Sequence, residues 1–187
     1  RGAAVRAFDK ALQLWPDHER AATRLSALMR QQGQLEKLAD RLQRAAGEAR
    51  DPVRQRALWL EVARLYAKEL DNLGGAIHAL ERLLRDHPKD ASALLELAGL
   101  YLADRRTDDA IGLLRRAAQV AQGDELAEAN FLLAVALEDK GDTPGAFRHY
   151  ELAMQQRPTD ARVLSRIVAL QLDSGLFAAA VDSATRL

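Results

Sequence analysis

The sequence predicts an all-α fold, a solenoid of antiparallel helix hairpins stacked in one row, and three observations predict it. Six times a small or apolar residue is followed by others four and then three positions on. These triplets are Ala4-Phe8-Ala11, Leu38-Leu42-Ala45, Ala76-Leu80-Leu83, Ala110-Leu114-Ala117, Ala146-Tyr150-Ala153 and Ala180-Ala184-Leu187. That spacing puts all three members on one helix face. The first members are separated by 34, 38, 34, 36 and 34 residues. A period near 34 belongs to a helical hairpin that cannot bury its apolar side alone and stacks on copies of itself. The third observation is composition: the chain has only 5 prolines in 187 residues, no cysteine, and abundant Ala, Leu and Arg without β-branched or aromatic runs. Such a chain favours helix throughout and leaves no segment for a sheet.

Taken in order, Arg1 to Trp15 carries the first triplet and reads as the second helix of a hairpin, stopped by Pro16. Each later triplet is preceded by another pattern, in which a residue is followed three on by an apolar one, then at once by a small or short one, then by a large one. It reads Ala22-Leu25-Ser26-Met29, Trp59-Val62-Ala63-Tyr66, Leu94-Leu97-Ala98-Tyr101, Asn130-Leu133-Ala134-Leu137 and Leu164-Ile167-Val168-Gln171. These segments are the first helices of the hairpins, called A here, and the triplet segments are their B partners. Alanine at the A and B crossings lets the axes approach, while the large residue one turn on fills the space toward the next hairpin. Gly33, Gly141 and Gly175 follow A helices, where a left-handed cap suits glycine. Pro88 and Pro158 end B helices, and Asp90 and Asp160 then stand ready to cap the next A helix. Asp71 to Gly75 is expected to form a turn one residue longer than its counterparts, with Gly74-Gly75 as its flexible corner. The resulting frame is a single array: a partial repeat at 1–18, repeats at 19–55, 56–90, 91–126 and 127–160, and a partial repeat at 161–187. Because it opens and closes within B helices, we expect it to belong to a longer array.

The chain resembles the tetratricopeptide repeat family over its whole length. The resemblance is clearest at Ala127 to Asp160, where Leu133, Ala134, Leu137, Gly141, Ala146, Tyr150, Ala153 and Pro158 occupy the family's signature positions. Gln122 stands where the preceding repeat should carry proline, and Leu38 replaces the usual small residue in the first complete repeat. The resemblance implies a right-handed superhelix whose inner wall is lined by positions 2, 5, 9 and 12 of each A helix. It also implies a scaffold that binds a protein or peptide there and assembles a complex. Those positions hold Arg20, Thr23, Ala27 and Arg30; Ala57, Leu60, Arg64 and Ala67; Ser92, Leu95, Gly99 and Leu102; Glu128, Phe131, Val135 and Glu138; and Arg162, Ser165, Ala169 and Leu172.

Among them Leu60, Leu95, Leu102, Phe131 and Val135 would be apolar and exposed on consecutive helices, with Gly99 leaving room between them, and exposed contiguous apolar surface marks an interaction site. The candidate partner-binding residues are therefore Leu60, Arg64, Leu95, Gly99, Leu102, Phe131, Val135 and Glu138. One subgroup of the family grips a C-terminal carboxylate with Lys and Asn. Here those positions hold Thr23 and Ala27, or Leu95 and Gly99, which disfavours such a tail.

Catalytic and cofactor chemistry find no foothold. His18, His78, His87 and His149 are scattered and form no HExxH pattern, so no metal is expected. Gly74-Gly75 lacks a phosphate-loop context, and Asp108-Asp109 and Glu138-Asp139 are sequence neighbours that point apart on a helix. We expect no enzyme and no cofactor in this chain.

Residues 1–56 carry 12 Lys and Arg against 7 Asp and Glu, and the remainder 15 against 20. This is too balanced for a nucleic-acid binder. No stretch is long and apolar enough to span a bilayer, and an array without disulfides fits cytoplasm and periplasm alike. The Arg-over-Lys, Ala-rich usage points to a bacterial genome. Two further roles stay open: a non-catalytic recruiting or regulatory arm of a larger enzyme, and a bacterial envelope or secretion scaffold. Self-association through uncapped end helices is a third.

Overall fold

A computed structural model describes residues 18–185 together with 7, 8, 10 and 11. Most of the first B helix, its stop at Pro16 and the closing Leu187 lie outside these residues. The described residues form ten complete helices and no strand. They fall into two compact units, Arg1–Ala79 and Leu80–Leu187.

The first unit contains α1 (Glu19–Gln31), α2 (Leu35–Glu48), α3 (Pro52–Lys68) and the start of α4 (Leu73–Asp86). Here α1 packs on α2 and α2 on α3. Leu38 and Leu42 are buried as their triplet requires, and Ala46 rather than Ala45 completes the face. The A helix α3 has 17 residues against 13 in α1, because Asp51 accepts from the amides of Val53 (3.1 Å) and Arg54 (3.3 Å) and Pro52 starts the first turn. A cap of this kind contributes about 1 kcal/mol. Arg30 on α1 reaches Glu69 (3.0 Å) and Glu61 (3.3 Å), tying the two A helices together through their polar faces.

The second unit contains the rest of α4, then α5 (Ala91–Ala103), α6 (Thr107–Val120), α7 (Gly123–Asp139), α8 (Thr143–Gln156), α9 (Ala161–Asp173) and α10 (Phe177–Ala184). Each helix from α5 to α10 packs on the next, and the A helices α5 and α7 also touch directly. The alanines expected at the crossings are there. Ala98, Ala110, Ala134 and Ala146 are wholly buried, as are the large partners Leu114 and Tyr150. Asp90 accepts from the Ala93 amide (3.0 Å) and Asp160 from Arg162 (3.0 Å), so both aspartates cap as the sequence implies.

Four of the five A helices close with one shared motif. In α7 the amide of Gly141 donates to Glu138 (2.8 Å) and that of Asp142 to Leu137 (2.9 Å), with Gly141 at φ 78°. The same pair of bonds closes α1 at Gly33 and α9 at Gly175. In α5 the position falls to Arg105, at φ 58°. A side chain at positive φ costs about 1 kcal/mol or more. We expect Arg105→Gly to stabilise the second unit by about 0.5–1 kcal/mol, read as a higher urea midpoint; an unchanged or lower midpoint would refute it.

One expectation fails. Gly74 and Gly75 do not form a flexible corner but lie in the first turn of α4. The extra residue is absorbed before them, where Asp71 takes φ 49° and the Asn72 amide donates to Tyr66 (2.9 Å). The Asn72 side chain then accepts from the Gly75 amide at 2.8 Å, acting as a helix cap.

Candidate partner-binding face

Positions 2, 5, 9 and 12 of an A helix are spaced three and four apart and so form a single stripe. On α7 the stripe is Glu128, Phe131, Val135 and Glu138; on α9 it is Arg162, Ser165, Ala169 and Leu172. The two stripes meet side by side. The Arg162 guanidinium binds Glu128 with both oxygens, at 2.8 and 3.2 Å, and reaches Asp160 at 2.9 Å. It also stacks over the Phe131 ring, 4.5 Å from its centroid. Arg166 binds Glu138 at 3.2 Å, and Arg157 binds Asp124 at 2.8 Å while lying 3.6 Å from Glu128. Bidentate geometry of this kind fixes orientation as well as charge.

The electrostatics follow from these contacts. The Glu128 and Asp160 carboxylates hold the Arg162 guanidinium even more firmly protonated than usual, and the Arg162 hydrogen bond keeps Asp160 below the ordinary carboxylate range. Behind the stripe, Tyr150 on α8 donates its hydroxyl to Glu138 at 2.7 Å, and its ring lies 6.0 Å from Phe131. Burial, then the Glu138 carboxylate, pushes the Tyr150 hydroxyl well above its usual value.

The same hairpin carries a polar pair inside its packing. Asn130 is buried where other A helices have Trp59, Leu94 or Leu164, and its amide donates to the Leu126 carbonyl at 2.9 Å. His149 meets its other end, with Nδ1 2.9 Å from Oδ1, and burial holds the imidazole below its ordinary pKa, helped by Arg148 and Arg115. Satisfying both groups makes a buried amide tolerable at this position.

On α5 the stripe of Ser92, Leu95, Gly99 and Leu102 is uncharged and half-buried throughout. A Cβ added to Gly99 would meet nothing within 4 Å, so the helix surface is notched there. Phe131, Val135 and Glu138 are half-buried as well. The candidate residues Leu95, Gly99, Leu102, Phe131, Val135 and Glu138 thus lie on two touching A helices of one unit. In the first unit the expectation of an exposed apolar anchor is not met: Leu60 is only 6% exposed and serves packing, while Arg64 is exposed on the same helix.

Among the described residues, the large apolar side chains that stand in solvent are Val53, Leu172 at the end of the α9 stripe, and Leu176, Phe177 and Val181 around α10. Val181 is 66% exposed although its repeat counterpart Ile111, on the α6 that packs against α7, is 7% exposed. Sequence reasoning also did not give Arg162 its stacking role. The available signal was the 34-residue offset between Glu128 and Arg162, which sets position 2 beside position 2.

Residues 63–125 match the family described as tetratricopeptide repeat. No curated protein matches the chain by sequence. Among solved structures, BtubC (BKLC) from P. vanneervenii is similar with a TM-score of 0.76 at 19% identity, covering 99% of this chain and 85% of that one. MamA 41-end from Desulfovibrio magneticus RS-1 gives 0.72 at 17%, covering 91% and 93%. YrrB, described as a TPR protein with an unusual peptide-binding site, gives 0.69 at 16%, covering 97% and 91%. At these identities the likeness is one of fold.

Proposed function

We propose that this chain, a tetratricopeptide-repeat protein, is a non-catalytic scaffold that holds a partner segment against the A-helix stripes of α5 and α7 and so helps assemble a protein complex. The observation that carries this reading is the pair of apolar, half-open stripes, Leu95-Gly99-Leu102 and Phe131-Val135, on neighbouring helices with an unfilled notch at Gly99. A glycine in a helix interior costs about 1 kcal/mol relative to alanine, and here no side chain takes up the space it leaves. Each ligand side chain fully buried in such a surface contributes about 1.5–3 kcal/mol. Two or three anchors supply about 3–9 kcal/mol gross against the roughly 8 kcal/mol net of micromolar binding, so the charges at the rim must add to them to offset association costs. The peptide-binding site named for YrrB supports the class of ligand, through a shared fold.

The reading is tested at the notch. Gly99→Gln fills the open space with a long uncharged side chain, should leave the helical circular dichroism intact and the thermal midpoint unchanged or higher, since glutamine suits a helix interior better than glycine, and should weaken capture of partners by about ten-fold. Proteins or peptides retained equally by the variant would remove this face from the account. Loss of helical signal would show instead that Gly99 is a packing position.

A further inference from the structure

The arginines around the α7 stripe say what kind of segment it accepts. Arg162 is closed on Glu128 and Asp160, Arg157 on Asp124 with Glu128 and Asp160 within 3.8 Å, and Arg166 on Glu138. An incoming carboxylate therefore finds no unclaimed guanidinium in this network, and to gain one it must displace a carboxylate already in place, an exchange of like for like. The group holds four carboxylates, Asp124, Glu128, Glu138 and Asp160, against three guanidiniums. Glu128 and Glu138 bracket Phe131 and Val135 at the two ends of the stripe, and a carboxylate can accept more hydrogen bonds than these partners supply. Residues 80–187 as a whole carry 13 Lys and Arg against 17 Asp and Glu, a formal charge of −4.

Resting on the reading above, we infer that the α5 and α7 face takes an apolar segment flanked by lysine or arginine, and discriminates against acidic segments, including chain termini that offer only a carboxylate. The apolar stripe supplies the affinity, and the carboxylates at its ends supply register and the choice of partner charge. Arg162 stacked on Phe131 adds to this choice: a ligand cation meets Glu128 at the rim, whereas a ligand acid must compete with Glu128 for the same guanidinium.

The test is a selection of displayed random dodecapeptides on the immobilised 187-residue chain, run in parallel on the charge-neutral Gly99→Gln. The expected winners are those lost on the variant, apolar in the middle and net positive at the flanks. A synthetic winner should bind about ten-fold more weakly once its basic residues are changed to glutamate, since exposed pairs are individually modest, and its affinity should fall with added salt. Winners that are net negative or uncharged, or a charge swap without effect, overturn the inference while leaving the face itself a binding site. If no sequence is retained in a manner sensitive to Gly99→Gln, the face is not a peptide site and both readings fall.

Discussion

Tyr150→Ala should destabilise the α7 and α8 hairpin by about 3–5 kcal/mol, the cost of removing a wholly buried aromatic side chain and leaving its cavity. Tyr150 fills the position held in neighbouring repeats by Leu114 and Leu80, both also buried. Its truncation removes the large half of the small-and-large alternation on which stacking depends. It also takes the donor from Glu138 and the ring neighbour from Phe131, so two candidate binding residues lose their support. Tyr150→Phe keeps the ring and removes only the hydroxyl. Arg166 still neutralises Glu138, so this change should cost about 1 kcal/mol. Because a stacked array need not unfold in one step, the appropriate readout is amide hydrogen exchange. Protection should drop through Thr143–Gln156 and Gly123–Asp139 in the alanine variant and change little in the phenylalanine one. Equal losses in both variants would mean that the hydroxyl, not the ring, holds the hairpin.

The stacked hairpins were legible because their physics is periodic. Alanine at 98, 110, 134 and 146 can be read as a crossing from spacing alone, and each is buried. Asp90, Asp160, Gly33, Gly141 and Gly175 are equally local signals, in which a side-chain oxygen or a tolerated φ determines a helix end. The candidate face was less legible, since exposure depends on what the neighbouring hairpin covers. Leu60 and Leu95 both occupy position 5, yet one is buried and the other half-open. The 34-residue offset brings Arg162 beside Glu128, but its stacking lies beyond sequence reasoning for a related reason: a long side chain has several partners within reach, and geometry alone shows it resting on Phe131. Arg105 shows the limit from the other side, because a helix-closing position held by glycine three times is held there by a residue that pays for the same φ.

The paired glycines of α4 make the sharpest test of how much a local reading misses. By sequence they are one flexible dipeptide, and alanine at either site should then act alike. The structure separates them. A Cβ on Gly75 would sit 2.8 Å and 2.9 Å from two ring carbons of Tyr66, closer than such atoms approach, whereas a Cβ on Gly74 would meet only the Asn72 oxygen at an ordinary 3.8 Å. Tyr66 cannot simply swing away, since its ring is half-buried and its hydroxyl accepts from Gln43 at 3.4 Å. Gly75→Ala should therefore cost about 1–3 kcal/mol through overpacking. Gly74→Ala should stabilise by a few tenths to about 1 kcal/mol, because alanine restricts the unfolded chain and suits a helix. Shrinking Tyr66 to leucine should relieve much of the Gly75→Ala penalty, a coupling that a double-mutant cycle measures directly. Two alanine variants with the same sign and size of effect would mean that Tyr66 yields, and that the close approach at Gly75 exerts no control over the first turn of α4.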